Sequence, residues 1–168
     1  MRLFVAIDLP DKVKESISKV KAEFSKHVLA KWVKKENLHL TIKFLGEVKD
    51  DLVQTIADAL AKIKSSSFDL CTRDLGVFPN ESFIRVLWVG FNNSQELNEL
   101  RKKIDSIVTI GDDKPLVAHV TVARIKKINN KKKFFETLRT FKVEKHCFKV
   151  DHFTLYRSIL KREGPIYK

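Results

Sequence analysis

Apolar residues recur along the chain with two different periods, and these periods predict its secondary structure. Four segments carry apolar residues every three or four positions, the spacing of one helical face: 13–24, 52–63, 97–107 and 134–141. Runs rich in β-forming residues lie at 2–8, 38–48, 68–78, 83–91 and 145–158. With a further strand after the third helix, the predicted order is β-α-β-α-β-β-α-β-α-β.

Turn-forming residues support this order. Pro79-Asn80-Glu81-Ser82 separates two strand-like runs and predicts an antiparallel hairpin, whereas Gly111-Asp112-Asp113 ends the third helix. Ser65-Ser66-Ser67 is short and comes with neither a Pro/Gly tract nor a change in charge, so it predicts a loop within a domain. Because the helices are apolar on one side only, we predict an α+β protein with helices outside largely antiparallel sheets.

One tetrapeptide pattern occurs in both halves of the chain. His39-Leu40-Thr41-Ile42 is answered by His119-Val120-Thr121-Val122. Because side chains alternate along a strand, each His and Thr project to one side while the two apolar residues turn to the core. The repeat favours one domain, residues 1–168, with a bilobal and pseudo-symmetric fold. Two sheets would then face a central cleft that holds two imidazoles and two hydroxyls.

Two histidines in one cleft suit acid and base chemistry at phosphorus. With pKa values near the usual ~6.5, one imidazole can be neutral and accept a proton while the other is cationic and donates one. Such a pair can drive in-line displacement at a phosphate without a metal, and hydroxyls can hold the non-bridging oxygens. We therefore predict His39 and His119 as the acid and base pair, with Thr41 and Thr121 binding the phosphate.

A guanidinium would add countercharge, and Arg124 is the candidate because it follows the second motif on the same strand. Strict alternation places Arg124 on the opposite face, so a bulge or the end of the strand would have to redirect it. Lys43 shares the parity of His39 and Thr41. We interpret it as an exposed strand lysine, with a place at the rim of the cleft as the alternative.

The charge of the chain indicates the class of its partners. Lysine and arginine number 33 against 21 aspartate and glutamate residues, a formal net charge of +12. Excess positive charge favours polyanions such as nucleic acid, because neutralised phosphates release counterions. A lysine-rich surface that serves only solubility is the alternative, and abundant Lys with Glu also suits a heat-adapted proteome.

The remaining candidate chemistry is sparse. Cys71 and Cys147 lie far apart in the sequence, and we predict two reduced thiols in a cytoplasmic protein. The other three histidines, at 27, 146 and 152, are expected to be structural or surface residues. No apolar run approaches the ~20 residues of a membrane span, and no Gly-rich phosphate loop, G-x-S-x-G or H-E-x-x-H motif occurs. We expect a soluble protein without metal or cofactor.

Several blocks resemble the two-histidine phosphoesterase superfamily, which is defined by a paired histidine-x-threonine-x motif, and in particular its RNA 2',3'-cyclic phosphodiesterase branch, also known as 2'-5' RNA ligase. The resemblance covers essentially the whole chain. The blocks that carry it are residues 2–10 (Arg2-Leu3-Phe4-Val5-Ala6-Ile7-Asp8-Leu9-Pro10), 39–46, 76–78, 85–88, 119–124, and Leu155-Tyr156-Arg157-Ser158 before Gly164 and Tyr167.

The resemblance implies hydrolysis of an RNA or nucleotide 2',3'-cyclic phosphodiester to a 2'-phosphate, independent of metal and ATP. It also implies a weak reverse joining of 5'-hydroxyl RNA ends. Matched to the motif, His39 is the expected proton donor to the leaving 3'-oxygen and His119 the expected proton acceptor from water. Thr41, Thr121 and Arg124 are the expected phosphate-binding residues. The sequence alone does not say which histidine is the acid.

Two alternatives stay open at this point. The first is a non-catalytic RNA-binding module whose cleft holds a terminal phosphate without cleaving it. The second keeps the chemistry but changes the substrate to 2'-5' oligoadenylate, a linear 3'-end or another cyclic nucleotide. A monomer that binds RNA and no membrane is expected in either case.

Overall fold

The fold is described by a computed structural model for residues 1–92 and 94–168. The strands are β1 (Arg2–Asp8), β2 (Val28–Trp32), β3 (His39–Glu47), β4 (Phe68–Asn80), β5 (Phe83–Phe91), β6 (His119–Ile128), β7 (Cys147–Val150), β8 (Thr154–Lys161) and β9 (Gly164–Tyr167). The helices are α1 (Asp11–Phe24), α2 (Asp50–Ala61), α3 (Gln95–Ile107) and α4 (Lys131–Thr140), with one 3-10 turn at Lys35–Asn37.

Within this described part of the chain, the strands form two antiparallel sheets. The first sheet has the order β3-β1-β8-β9 and the second sheet has the order β2-β6-β5-β4-β7. Each motif strand pairs with a strand that carries buried apolar residues, β3 with β1 and β6 with β5. The predicted α+β class with antiparallel sheets is therefore confirmed.

Helices α3 and α4 each begin at a capping side chain that precedes an apolar-periodic segment. Ser94 accepts a hydrogen bond from the Leu97 N–H at 3.1 Å, and Asn130 accepts one from the Lys133 N–H at 3.0 Å. These caps satisfy backbone donors that the first helical turn leaves free, which fixes where α3 and α4 begin. Each helix then buries its apolar face, and Phe134 of α4 packs edge-to-face on Phe24 of α1, with ring centroids 5.4 Å apart.

Three strand predictions are wrong in detail. Strand β2, at the edge of the second sheet, was not predicted, because its five residues open with three apolar side chains and show no alternation of polarity. The predicted strand 145–158 is two strands, β7 in the second sheet and β8 in the first. Strand β9, which pairs with β8, was not predicted either, since Gly164 and Pro165 weaken the β signal of this short segment.

Both motif strands contain a β-bulge at the same place in the motif. In β3, Lys43 lies opposite Val5 while Thr41 lies opposite Ala6, so Ile42 is an extra residue. In β6, Val122 is the extra residue between the partners of Leu87 and Trp88. A bulge reverses the alternation of side chains beyond it. The residues that follow the two motifs therefore point to the opposite face from the one that strict alternation predicts.

This reversal corrects the prediction for Lys43, which is 5% exposed rather than a surface residue. Its ammonium donates to Asp105 Oδ1 at 2.6 Å and to the Val108 carbonyl at 2.7 Å, at the end of α3. These two hydrogen bonds, one of them to a carboxylate, satisfy the buried charge. The bulge thus directs Lys43 toward a helix and away from the cleft.

Arg101 of α3, 7% exposed, joins the same cluster. Its Nε donates to both Asp105 oxygens at 3.0 and 2.9 Å, and one terminal nitrogen donates to the carbonyl of the bulge residue Ile42 at 2.7 Å. The other terminal nitrogen donates to the carbonyls of Asp112 and Lys114 at 2.8 and 3.2 Å. One guanidinium therefore ties the bulge of β3 to α3 and to the loop that precedes β6.

The loop after α3 packs directly on β3. Gly111 has φ +96°, and a Cβ at this position would lie 2.2 Å from the Phe44 carbonyl oxygen. The next residue, Asp112, donates its N–H to that same carbonyl at 2.8 Å. A glycine is needed here because only a residue without a side chain allows this conformation and this approach. The predicted helix break at Gly111 thus also closes the outer edge of β3.

The prediction of two reduced thiols is wrong in the structure. Cys71 in β4 lies directly opposite Cys147 in β7, with the Cα atoms 4.0 Å apart, and the two sulfurs form a disulfide. Sequence distance concealed this pairing, because 76 positions separate the two residues and only the register of β4 with β7 brings them together. The disulfide attaches the short edge strand β7 to the second sheet.

None of the helices in the part of the chain that the structure describes combines the length and the apolar character that crossing a membrane requires.

Replacing Arg101 by methionine should lower the free energy of unfolding by about 2 to 4 kcal/mol, because the Asp105 carboxylate loses one of its two cationic partners and three carbonyls lose the Arg101 donor. Urea unfolding followed by circular dichroism measures this change. The matched control is Arg139→Met on the exposed surface of α4, which should change stability by less than about 0.5 kcal/mol. Equal stability of the two variants would contradict a supporting role for Arg101.

Candidate active site

A cavity of about 560 Å³ is lined by residues of both sheets. Strands β3 and β6 enter it with their motif side chains, while β8 and β9 close one side. All five residues predicted from the sequence line this one cavity: His39, Thr41, His119, Thr121 and Arg124. The apolar motif residues Leu40, Ile42, Val120 and Val122 are buried in the core, as the alternation of the motif predicts.

The bulge in β6 brings Arg124 to the cavity. Two consecutive residues, Val122 and Ala123, are buried, and alternation then resumes with Arg124 on the side of His119 and Thr121. The equivalent bulge in β3 places Phe44 in the cavity with 52% of its surface exposed. The two halves of the site therefore differ at this position, with a guanidinium in one half and a phenyl ring in the other.

Both imidazoles are oriented by the backbone two residues earlier in the chain. His39 Nδ1 lies 2.7 Å from the Asn37 carbonyl oxygen, and His119 Nδ1 lies 2.6 Å from the Val117 carbonyl oxygen. A carbonyl only accepts, so Nδ1 carries the hydrogen in both rings. Nε2 is then the atom that gains or loses a proton, and the same local geometry sets the tautomer in both halves.

Aromatic rings hold His39 on two sides. The Phe4 ring centroid is 4.8 Å from the imidazole centroid, and the Tyr167 ring meets the imidazole edge-to-face at 5.1 Å. Burial among these rings lowers the pKa of His39, because an apolar environment disfavours the imidazolium, although the hydrogen bond to the Asn37 carbonyl opposes this effect. Tyr167, near the end of the chain, is thus a site residue for which the sequence predicted no role.

His119 rests on a different pair of rings. Phe78 meets it edge-to-face at 4.9 Å, and the Trp88 centroid lies 5.8 Å away. Burial likewise lowers the pKa of His119. The Trp88 indole lies flat over Gly76 of β4, where a Cβ would come within 2.1 Å of the ring. A glycine inside a strand was the available sequence signal for this close approach.

The cavity has a positive electrostatic character. Arg2, Lys31, Lys34 and Arg124 line it, and Glu163 is the only carboxylate among the described residues that do so. An anionic ligand would find several cations and two hydroxyls around the imidazoles. Among residues 1–92 and 94–168, no three His, Cys, Asp or Glu side chains gather into a group that could hold a metal ion.

Gly76→Ala should displace the Trp88 indole and with it the ring that supports His119. The added methyl overlaps the indole, so we expect a loss of about 1 to 3 kcal/mol in stability and shifted NMR signals for Trp88 and His119. Gly46→Ala is the control, because its Cβ meets nothing within 4 Å although φ is +73°. Gly46→Ala should cost stability through backbone strain and leave the Trp88 signals in place; equal signals in both variants would refute the packing role of Gly76.

The chain is similar in sequence to a known protein family over most of its length. The family model "LigT like Phosphoesterase" matches the chain twice, over residues 7–88 and 89–167. A curated relative from Methanocaldococcus jannaschii, named RNA 2',3'-cyclic phosphodiesterase, is 40% identical over 172 residues, which cover 100% of this chain and 97% of that protein.

Solved structures share the fold over the same length. TT0787 of Thermus thermophilus superposes with a TM-score of 0.80 at 28% identity, covering 100% of this chain and 94% of that one. E. coli LigT complexed with 3'-AMP gives a TM-score of 0.77 at 27% identity, with 99% and 93% of the two chains covered. The double match, the full-length relative and the shared fold show that this chain belongs to the LigT-like phosphoesterase family.

Proposed function

We propose that the protein hydrolyses an RNA or nucleotide 2',3'-cyclic phosphodiester to a 2'-phosphomonoester, with residues 1–168 acting as one bilobal domain. The observation that carries this proposal is the convergence of both His-x-Thr motifs and Arg124 on one cavity. The relative named RNA 2',3'-cyclic phosphodiesterase supports the substrate class, and the 3'-AMP complex of E. coli LigT supports a nucleotide in this fold.

The proposed reaction uses the two Nε2 atoms in opposite protonation states. His119 accepts a proton from a water molecule as the water oxygen attacks phosphorus, and the bond from phosphorus to the 3'-oxygen breaks. His39 donates its proton to that leaving oxygen. The products are a 2'-phosphate and a 3'-hydroxyl, with His39 neutral and His119 cationic until solvent returns both to their starting states. With a 5'-hydroxyl RNA end in place of water as the attacking group, the same ring opening would join the two ends weakly through a 2'-5' phosphodiester.

The remaining cavity residues stabilise charge on the phosphate. The hydroxyls of Thr41 and Thr121 donate to non-bridging oxygens, one from each sheet, and hold the phosphate between the two imidazoles. Arg124 pairs its planar guanidinium with two phosphate oxygens. Because Phe44 occupies the matching place in the first half, only one of the two motif strands supplies a guanidinium. No step requires a metal or a cofactor.

The charge of the chain suits a strand of RNA as the partner. The cations at the cavity would attract the backbone, and the excess of 12 positive charges extends this attraction over the surface. We propose a monomer that acts on RNA in the cytoplasm. The disulfide does not conflict with this location if the cell is heat-adapted, as the abundance of lysine and glutamate suggests, because intracellular disulfides persist in such organisms.

His39→Ala and His119→Ala should each lower turnover of a 2',3'-cyclic nucleotide by about 100- to 10,000-fold, since each removes one proton transfer. His27→Ala is the matched control, because His27 lies outside the cavity, and it should retain activity. Phosphate-ester products are resolved by chromatography against 2'- and 3'-phosphate standards. Circular dichroism checks that each variant is folded.

Four outcomes would contradict the proposal. Near-normal turnover of the cyclic nucleotide in either variant would refute the two-histidine mechanism. Loss of activity in EDTA, restored by a divalent cation, would indicate a metal enzyme instead. An unchanged mass of a 2',3'-cyclic oligonucleotide after incubation with the wild-type protein would indicate an RNA-binding module. Faster turnover of 2'-5' oligoadenylate than of the cyclic phosphate would identify the oligoadenylate as the preferred substrate.

Arg124→Gln should lower kcat by about 100-fold, because the developing charge on the phosphate loses its cationic partner in the transition state. Arg85→Gln carries the same change of charge on the same sheet, outside the cavity, where Arg85 stacks over Phe83 at 4.5 Å. Steady-state kinetics with the cyclic nucleotide compare the two variants. A rise in KM alone for Arg124→Gln would instead assign Arg124 to substrate attraction.

A further inference from the structure

The two motif histidines have different neighbours across the sheet. In the first sheet, His39 lies directly opposite Asp8 of β1, whereas in the second sheet His119 lies directly opposite Gly90 of β5. Directly opposed residues in an antiparallel pair project to the same face. A carboxylate therefore stands beside one imidazole of the repeated pair, and the other imidazole has none at the same position.

Hydrogen bonds from β8 hold the Asp8 carboxylate in place. Thr154 Oγ1 donates to Asp8 Oδ2 at 2.8 Å, and the Tyr156 hydroxyl donates to Asp8 Oδ1. Burial raises the pKa of Asp8, but the bonds from Tyr156 and Thr154 outweigh it, and the net result is a lowered pKa. Burial and the bond to Asp8 raise the pKa of Tyr156 to about 12, so the phenol remains a donor. Asp8 is therefore a fixed negative charge at neutral pH.

Asp8 and His39 also line one cavity. A second cavity of about 410 Å³, adjoining the first, is lined by both side chains. His39 and Tyr167 line both cavities. Asp8 and the imidazole thus border the same space, and the negative charge of Asp8 acts on the ring.

Charged groups from every neighbouring element face His39. Asp8 raises the pKa of His39, but burial has the larger effect and lowers it, and Lys14 and His119 lower it further. The other titratable or charged side chains that line the two cavities around the ring are Arg2, Lys31, Lys34, Glu36, Arg124, Tyr156, Glu163 and Tyr167. His152 approaches Asp8 itself, with Nε2 3.5 Å from Oδ2.

We propose that Asp8 is a positioning residue that favours the protonated form of His39, so that the first sheet supplies the acid of the reaction. The inference rests on the proposed function and deepens it, because the motif repeat alone leaves the two imidazoles equivalent. Burial disfavours the imidazolium in both halves of the site, and the first half alone has a carboxylate to oppose this effect. The second half, with Gly90 in that place, favours the neutral ring that a base requires.

The sign of the pH effect follows from the role of an acid. His39 must be protonated in the reactive state, and without Asp8 its pKa falls. At alkaline pH a smaller fraction of His39 then carries the proton, and kcat/KM decreases. As the pH falls, His39 becomes protonated with or without Asp8, so the difference in kcat/KM between the two proteins shrinks. A loss that is confined to the alkaline side is thus the signature of this residue.

The direct test is NMR titration of the His39 ring in the wild type and in Asp8→Asn. The asparagine oxygen can still accept from Tyr156, and its amide nitrogen can donate to the Thr154 hydroxyl, which also accepts, so both contacts persist while the charge is removed. We expect the His39 titration to move to lower pH and the His119 titration to stay in place. Asp151→Asn is the matched control, because exposed Asp151 carries the same charge and contacts His152 instead.

The kinetic test uses the same two variants across the pH range. Asp8→Asn should lower kcat/KM about threefold to tenfold at pH 8.5, since each unit of pKa changes the protonated fraction tenfold, and this loss should shrink as the pH falls. Asp151→Asn should follow the wild type throughout. If Asp8→Asn does not fold, Asp8→Ser removes the charge and provides the same comparison.

Each outcome either supports or overturns the inference. An unmoved His39 titration, or a uniform loss of activity at every pH, would show that Asp8 is only structural. A gain at acidic pH with no change at alkaline pH would make His39 the base and overturn the assignment. The titration needs no substrate, so failure of the wild type to turn over a cyclic nucleotide would refute the proposed function while the role of Asp8 is still decided by NMR.

Discussion

The β-bulge in each motif strand is the constraint on which the site depends. Without the extra residues Ile42 and Val122, strict alternation would turn Arg124 toward the helices and Lys43 toward the cleft. The bulge interrupts the regular pattern of hydrogen bonds between the strands, yet it lets one strand present His, Thr and a third residue on a single face. In β3 the irregular backbone is held by Arg101, which reaches the Ile42 carbonyl from α3. In β6 the equivalent of Lys43 is Ala123, so the two bulges have different support.

The two halves of the site therefore share a backbone arrangement but present different side chains. Both imidazoles are oriented by a carbonyl two residues earlier and both are buried against two aromatic rings. The differences lie in the residues that the motif does not specify: Phe44 against Arg124 and Asp8 against Gly90. A cyclic phosphodiester is itself asymmetric, with one oxygen leaving and another retained, so a site with equal halves would have no preferred direction of attack.

The sequence predicted the structural features that depend on local residue pattern, but not those that depend on how the strands pair with one another. Helical periodicity and the paired motifs were sufficient for the α+β class and for the five residues that meet in the cavity. The direction of Arg124 and the burial of Lys43 required the bulges, which arise from the register with β1 and β5. The bond between Cys71 and Cys147 required the register of β4 with β7. Asp8 looked like the end of an ordinary strand until its neighbour across the sheet was known.

The order of strands also means that the two sequence repeats are not the two lobes. The repeat over 7–88 contains β2, β4 and β5, which lie in the second sheet, and the repeat over 89–167 contains β8 and β9, which lie in the first. A break of the chain between the repeats would leave each fragment lacking strands for both sheets. The duplicated halves are thus interlaced, and neither sheet can be completed by one half alone, unlike the sheets of two modules joined by a linker.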